Sequence, residues 1–254
     1  MKILALDTSS KNATVAITEN EEKLIELNNS DEKTHSQKLM PMIDEAFQKT
    51  NLSLDDINLI TCCLGPGSFT GVRIGIATAK AFADSKNILA VGVSSLEELA
   101  YNLNVEGYIC SLLDAGHGNI YVGFFKIEKD KNENLQTIEE NLAFLSLQDE
   151  SGKISEKNLI TFLKNNVKTN KNDLETIYFV GDATVTYEEI FQKLKMQNLY
   201  KIKLANHSQN ISSGITVARI GYTKYKNGKY GDTSILSPVY LRKSQAELAL
   251  ERKL

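Results

Sequence analysis

The chain has no excess of basic charge. Its 254 residues carry 29 lysines and arginines against 32 aspartates and glutamates, a formal net charge of −3. That balance gives no bulk electrostatic drive toward nucleic acid or an anionic membrane. No apolar run approaches the roughly 18 residues that a membrane span needs. The opening Met1-Lys2-Ile3-Leu4-Ala5-Leu6-Asp7 has an acid at position 7 and no cleavage-site pattern, so it reads as a first strand and not as a signal peptide. Cysteine is scarce. Cys62 and Cys63 are adjacent and Cys110 sits in an apolar run. An odd count without CxxC spacing points to reduced, buried thiols and a cytoplasmic setting. Histidine is scarce too, and none of His35, His117 and His207 stands at ligand spacing from another His or from a Cys, which argues against a zinc enzyme. There is no Walker loop and no GxGxxG. In Gly67-Ser68-Phe69-Thr70-Gly71 the serine comes one place too early for GxSxG, so a peptidase reading has no local support.

What the chain does have is a glycine-rich loop running into a nearly uncharged helix, Leu64-Gly65-Pro66-Gly67-Ser68-Phe69-Thr70-Gly71 and then Val72 to Asp84. Gly71, Gly75, Ala79 and Ala83 recur every four residues and form one bare ridge, along which another backbone can come close. Only Arg73, Lys80 and Asp84 are charged. A helix that is apolar on nearly every side must be buried on nearly every side. One sheet covers one face, so another helix or a partner protein is expected on the rest.

Two segments resemble each other. Leu6-Asp7-Thr8-Ser9-Ser10-Lys11-Asn12 runs into Ala13–Ile17, and Leu113-Asp114-Ala115-Gly116-His117-Gly118-Asn119 runs into Ile120–Phe124. Each is an apolar strand ending in Asp, a tight polar turn and a second strand. A duplicated chain is the expectation. Residues 1–106 form the first half, 107–207 the second, and 208–254 pack back on the first. Strands are expected near 23–27, 57–64, 88–93, 108–113, 120–127, 135–145 and 176–180. Helices are expected near 36–50, 71–84, 94–103, 154–164, 183–196 and 211–226, with Pro41 kinking the first of them or marking a later start. The stretch from Lys164 to Asp173 is polar and reads as a loop. Alternating strands and helices imply an α/β fold of two related halves. Hairpin-first halves of this kind resemble the actin-like (ASKHA, ribonuclease H-like) architecture, in which a strand-end Asp faces a nucleotide phosphate.

Asp7, Thr8 and Ser9 offer carboxylate and hydroxyl oxygens to a hard cation or a phosphate, or else they simply turn the hairpin. Gly67 and Ser68 stand where a helix N-terminus favours anions; a tight turn for close helix–strand packing is the alternative.

The segment Gly65-Pro66-Gly67-Ser68-Phe69-Thr70-Gly71-Val72-Arg73 resembles the signature of the TsaB (YeaZ) family. His35-Ser36-Gln37-Lys38-Leu39-Met40-Pro41, Gly92-Val93-Ser94-Ser95-Leu96 and Pro238-Val239-Tyr240-Leu241-Arg242 are similar to further family segments. The turn at Asp114-Ala115-Gly116-His117-Gly118-Asn119 departs from the family, which places an arginine and a glutamate there. The resemblance implies a part in forming threonylcarbamoyladenosine at position 37 of tRNA. The family's paralogue TsaD holds its metal with two histidines in Val-Asn-His-Leu-Glu-x-His. Here Val93-Ser94-Ser95-Leu96-Glu97-Glu98-Leu99 puts Ser95 and Leu99 at those places, and neither side chain replaces an imidazole on a transition metal. The resemblance therefore implies a non-catalytic scaffold that pairs with TsaD, works with TsaE, forms a homodimer when alone and meets tRNA only through the complex. No cofactor is assigned to this chain, and ATP or ADP is expected at the level of the complex. The expected interface comprises Leu39, Ile43, Phe47, Arg73, Gly75, Ile76, Ala79, Lys80 and Ala83. The rival reading is a stand-alone ATP-using enzyme of the actin-like fold, suggested by Asp7-Thr8-Ser9.

Overall fold

The computed structural model describes residues 1–30, 35–131, 135–167 and 174–242. Strands β1 (Lys2–Asp7), β2 (Ala13–Glu19) and β3 (Glu22–Asn29) form an antiparallel meander, with Asp7 opposite Thr14 at the end of the first hairpin. β4 (Leu59–Cys63) and β5 (Leu89–Val93) run parallel to β1. Parallel neighbours require crossovers, and helices α1 (His35–Thr50) and α2 (Phe69–Lys86) supply them. The sheet order is β3-β2-β1-β4-β5.

The second sheet repeats this order. It contains β6 (Gly107–Gly116), β7 (Asn119–Lys129), β8 (Leu135–Ser146), β9 (Thr176–Val180) and β10 (Lys201–Leu204), arranged β10-β9-β6-β7-β8. β6, β7 and β8 form the meander, while β9 and β10 continue in parallel from β6. The two sheets are thus the same five-strand design used twice, each beginning with a hairpin whose first strand carries the aspartate.

Helices separate and cover the sheets. α1 and α2 pack on one face of the first sheet, around Leu4, Leu6, Ile17 and Ile60. α7 (Gly214–Lys226) packs on the opposite face through Ile215, Val217, Ala218 and Ile220. With both faces covered, β4 reads Leu-Ile-Thr-Cys-Cys and is buried at every position. α3 (Ser95–Asn102) lies on the second sheet, where Leu96 and Leu99 meet Ile109 and Phe125. α4 (Lys157–Asn166), α5 (Ala183–Thr186) and α6 (Glu188–Met196) cover its other face. α3 and α7 touch, joined by the half-buried Lys224–Glu97 ion pair at 2.6 Å and by Ser213 N–H donating to Glu98 at 2.6 Å. No helix among the described residues is long and apolar enough to cross a membrane.

Several expectations are corrected. α1 continues through Pro41, so the proline does not mark a later start. α7 begins at Gly214, because the Ser213 hydroxyl accepts from the Thr216 N–H and fixes the cap there. The helix expected at 154–164 begins at Lys157 and runs to Asn166, so the loop expected from Lys164 starts later. Positions 168–173 of that loop fall outside the described residues. β10, with two lysines in four residues, was not anticipated.

Candidate functional site

The glycine-rich loop is pressed onto the first hairpin. The Ser68 N–H donates to the Ser9 carbonyl at 2.7 Å, and Thr8 Oγ1 donates to the Gly71 carbonyl at 2.6 Å. A Cβ on Gly67 would collide with the Ser9 carbonyl, and one on Gly71 with the Thr8 carbonyl. The Ser68 hydroxyl accepts from the Gly71 N–H at 3.2 Å and caps α2. The N–H groups of Ser68 and Gly71, which would hold a phosphate at this helix start, are therefore occupied by the chain itself. Gly67 and Gly71 thus serve the close packing of the loop on the hairpin.

Asp7 is fully buried, while Ser9 is nearly so. One Asp7 carboxylate oxygen accepts from the Ser9 N–H at 2.7 Å, and the other has no hydrogen-bond partner. Burial pushes the Asp7 carboxyl above the usual carboxylate range against the pull of the Ser9, Ser212 and Cys63 groups around it. Glu98 is buried close by and is raised well above its ordinary value by burial and then by Asp7. The three cysteines are free and buried, and burial raises each thiol.

A cleft of about 410 Å³ opens between the ends of the two hairpins. Ser9, Gly67 and Ser68 reach it from the first sheet, and Asp114, Tyr121 and Asp182 from the second. Asp7 and Thr8 do not line it, because both are turned into the protein. Asp114 accepts from the Gly116 N–H and from the Tyr187 hydroxyl, each at 2.9 Å. Asp182 accepts from the Asp114 N–H at 2.9 Å. Burial, followed by the nearby Asp114 charge, lifts Asp182, while burial and the Asp114 bond push Tyr187 up to about 12. Sequence reading missed Asp182 and Tyr187 as site residues. The only local signal was the strand–Gly181–helix unit that echoes the first half. Among the described residues, no group of three or more His, Cys, Asp or Glu side chains could hold a metal ion.

The places of the two TsaD histidines are part of the interior. Ser95 is buried and donates to the Ser9 hydroxyl at 2.8 Å. Leu99 is buried in the apolar layer between α3 and the second sheet.

The expected interface needs correction. Gly75, Ile76, Ala79 and Ala83 face the chain's own sheet and are buried, as are Leu39 and Ile43 on α1. The bare ridge serves an internal contact: a Cβ on Gly75 would stand 2.6 Å from Thr8 Oγ1. Buried to this degree they offer a partner almost no surface, and of the six Ile43 alone lines the groove beside α2. Phe47 and Lys80 are half-buried and Arg73 is exposed. The side of α2 turned away from the sheet carries exposed Arg73, Ala77 and Ala81 with half-buried Ile74 and Phe82. Beside it, Met40, Ile43, Phe47, Leu52, Leu54 and Phe82, together with the polar Asp44, Gln48, Asn51 and Ser53, line a groove of about 620 Å³ between α1, α2 and the segment that follows α1.

Two sheets of one strand order, each begun by a hairpin and facing across a cleft, define an actin-like α/β protein of two lobes. The chain belongs to the TsaB (YeaZ) family of tRNA threonylcarbamoyladenosine biosynthesis proteins. Residues 27–250 match the family model described as "TsaD: tRNA N6-adenosine threonylcarbamoyltransferase". The chain is 32% identical over 248 residues to the TsaB protein of Bacillus subtilis (strain 168), covering 97% of this chain and 96% of that one. It is 33% identical over 135 residues to TsaB of Escherichia coli K12, a match spanning 52% of this chain and 57% of the relative. Among solved structures, YeaZ from Pseudomonas aeruginosa superposes with a TM-score of 0.68 at 19% identity, covering 94% of this chain and all of that one. A second structure, described as similar to peptidase YEAZ from the same organism, gives 0.70 at 20% identity over 95% of this chain and 99% of the other. At those identities the two structures speak for the fold.

Proposed function

We propose that this chain takes part in tRNA threonylcarbamoyladenosine biosynthesis as a supporting subunit that carries no transfer chemistry of its own. It binds TsaD through the outward side of α2 and the adjoining edge of α1. A second copy of the chain covers the same surface when TsaD is absent. TsaE and tRNA are met through the complex, in the cytoplasm, and ATP or ADP belongs to the assembly.

The observation that carries this reading is the groove between α1 and α2. Met40 is 44% exposed, and Phe47 and Phe82 are only half-buried. Apolar side chains gathered at a concave surface are what a partner helix fills. The interior supports the absence of transfer chemistry: Leu99 is packed in apolar surroundings and Ser95 is bonded to Ser9.

The test exchanges residues that the fold does not use. Ala77→Arg and Ala81→Glu alter exposed positions on α2, so the chain stays folded. Light scattering after size-exclusion chromatography, with and without TsaD, should show the wild-type complex and none for the variants. Co-elution of the folded variants with TsaD would refute the assigned surface. The rival, a stand-alone ATP-using enzyme, requires saturable ATP turnover by the isolated chain that is lost on Asp7→Ala.

A further inference from the structure

The chain crosses from one lobe to the other within the few residues after Leu236. Leu236 is fully buried in the core of the first lobe. The Val239 N–H then donates to the Leu64 carbonyl at 2.8 Å, at the entry to the glycine-rich loop. Tyr240 lies on α2. Its ring stacks on Phe69 with centroids 5.5 Å apart, and its hydroxyl accepts from Arg73 Nε at 2.8 Å. The Arg73 guanidinium in turn sits 3.8 Å from the centre of the Phe69 ring. One residue further, Leu241 packs into the apolar cluster of α3 and the second sheet. The guanidinium of Arg242 stands 5.4 Å from the Phe144 ring on β8.

Both anchor points adjoin the cleft. Phe69 follows Ser68 in the chain, and Phe144 rests against Tyr121 with centroids 5.6 Å apart. Ser68 and Tyr121 line the cleft from opposite lobes. Elsewhere the lobes are joined through α3, which pairs with α7 at Lys224–Glu97 and whose first residue, Ser95, bonds Ser9 and the Gly65 carbonyl. A two-lobed protein joined along one helical layer can change its opening by hinge motion unless something ties the free side.

We propose that Pro238–Arg242 is a strap that ties the two lobes across the rim of the cleft and sets its opening, and that Arg73, holding Tyr240, is its latch. The proposal concerns the isolated chain and does not rest on the assignment of a partner. The latch is built from exposed groups: Phe69 is 51% and Tyr240 48% exposed. Its hydrogen bond and ring contacts therefore work against water and can be released without unfolding either core. Tyr240 contributes two separable contacts, a ring on Phe69 and an oxygen for Arg73. Arg73 contributes nothing to the core, so removing it tests the latch without a cavity.

The experiment measures the separation of the lobes directly. Spin labels are placed on cysteines substituted at Glu22 and Lys195, exposed positions on β3 and α6 away from the α1–α2 groove. The labelled chain is diluted with unlabelled chain so that only distances within one molecule are read, and the distance distribution is recorded by double electron–electron resonance. The native cysteines are buried and free; labelling the chain without the added sites sets the background. The wild-type chain should give one narrow distribution. Arg73→Ala and Tyr240→Ala should broaden it and move it to longer separations, and Tyr240→Phe should fall between. If Tyr240→Ala does not fold, Arg73→Ala and Tyr240→Phe carry the test, since neither removes buried volume. Wild-type distributions in the folded variants overturn the strap, and so does a distribution already broad in the wild type.

Discussion

Thr8 and Gly71 grip each other through side chain and backbone. The Thr8 hydroxyl donates to the Gly71 carbonyl at 2.6 Å, and the Gly71 Cα faces the Thr8 carbonyl so closely that no Cβ fits between them. This contact sets the distance between the start of α2 and the end of β1. It explains why the ridge of α2 is made of small residues, and it turns that ridge inward.

Gly75 tests the internal role of the ridge. Its missing Cβ would stand 2.6 Å from Thr8 Oγ1 and 3.6 Å from the Cys62 sulfur. Gly75→Ala should therefore destabilise the chain by about 1–3 kcal/mol through overpacking. Ala77→Ser, two residues on and exposed, should change stability by less than about 0.5 kcal/mol. Urea unfolding of the two variants decides; equal midpoints would show that the ridge does not bear on the sheet.

Leu39 and Ile43 are each 1% exposed, while Met40 between them is 44% exposed. Ile43→Ala should cost about 2–5 kcal/mol as a cavity mutation. Met40→Ala should leave the melting temperature nearly unchanged and weaken association with TsaD instead. Calorimetry and a binding titration separate the two effects, and a binding defect in a fully stable Ile43→Ala would contradict the assignment of that residue to the core.

Restoring the two histidines should not restore a metal site. Leu99 lies among Leu96, Ile109 and Phe125, and Ser95 holds the Ser9 hydroxyl. An imidazole at 99 would be buried among apolar side chains without a partner, which costs free energy on the order of 1–3 kcal/mol, and one at 95 would displace the bond that Ser95 makes to Ser9. The Ser95→His/Leu99→His double variant should melt lower than the wild type with or without added zinc or iron. Stoichiometric metal uptake measured by elemental analysis would show that the interior there is more adaptable than its packing implies.

The contrast between these sites tells how far the sequence was legible. Strands came through because their apolar runs are local, and the paired hairpins at Asp7 and Asp114 came through because two turns share one pattern. Periodicity also identified Gly71, Gly75, Ala79 and Ala83 as one face of a helix. It could not say what covers that face, since a partner and the chain's own sheet ask for the same small residues. Asp114, Asp182 and Tyr187 meet only in the folded chain, across separations of 68 and 73 residues, and no spacing rule links them. β10 was missed because four residues alternating with lysine carry too little signal beside a polar loop.

The buried carboxyl groups predict a pH dependence of stability with a definite sign. Glu98 has an ordinary value of 4.5 and is raised well above it in the folded chain, first by burial and then by the Asp7 carboxyl, whose own value is raised from 3.8. Glu26 opposes its ionisation further, and no cation is among the causes of its shift. Within reach are the Ser213 N–H and the Asn102 amide, both donating to Oε1, while Oε2 has no partner. A raised carboxyl value means that the folded chain holds the proton more tightly than the unfolded one. Stability from this source is complete below the unfolded values and declines as pH rises toward the folded ones. Glu98→Gln keeps an oxygen for Ser213 and Asn102 and cannot ionise. It should therefore be more stable than the wild type at about pH 8, with a difference that shrinks as pH falls toward about 4.5. Urea unfolding of both chains across that range is the measurement, and parallel stability curves would show that Glu98 titrates alike in the folded and unfolded states.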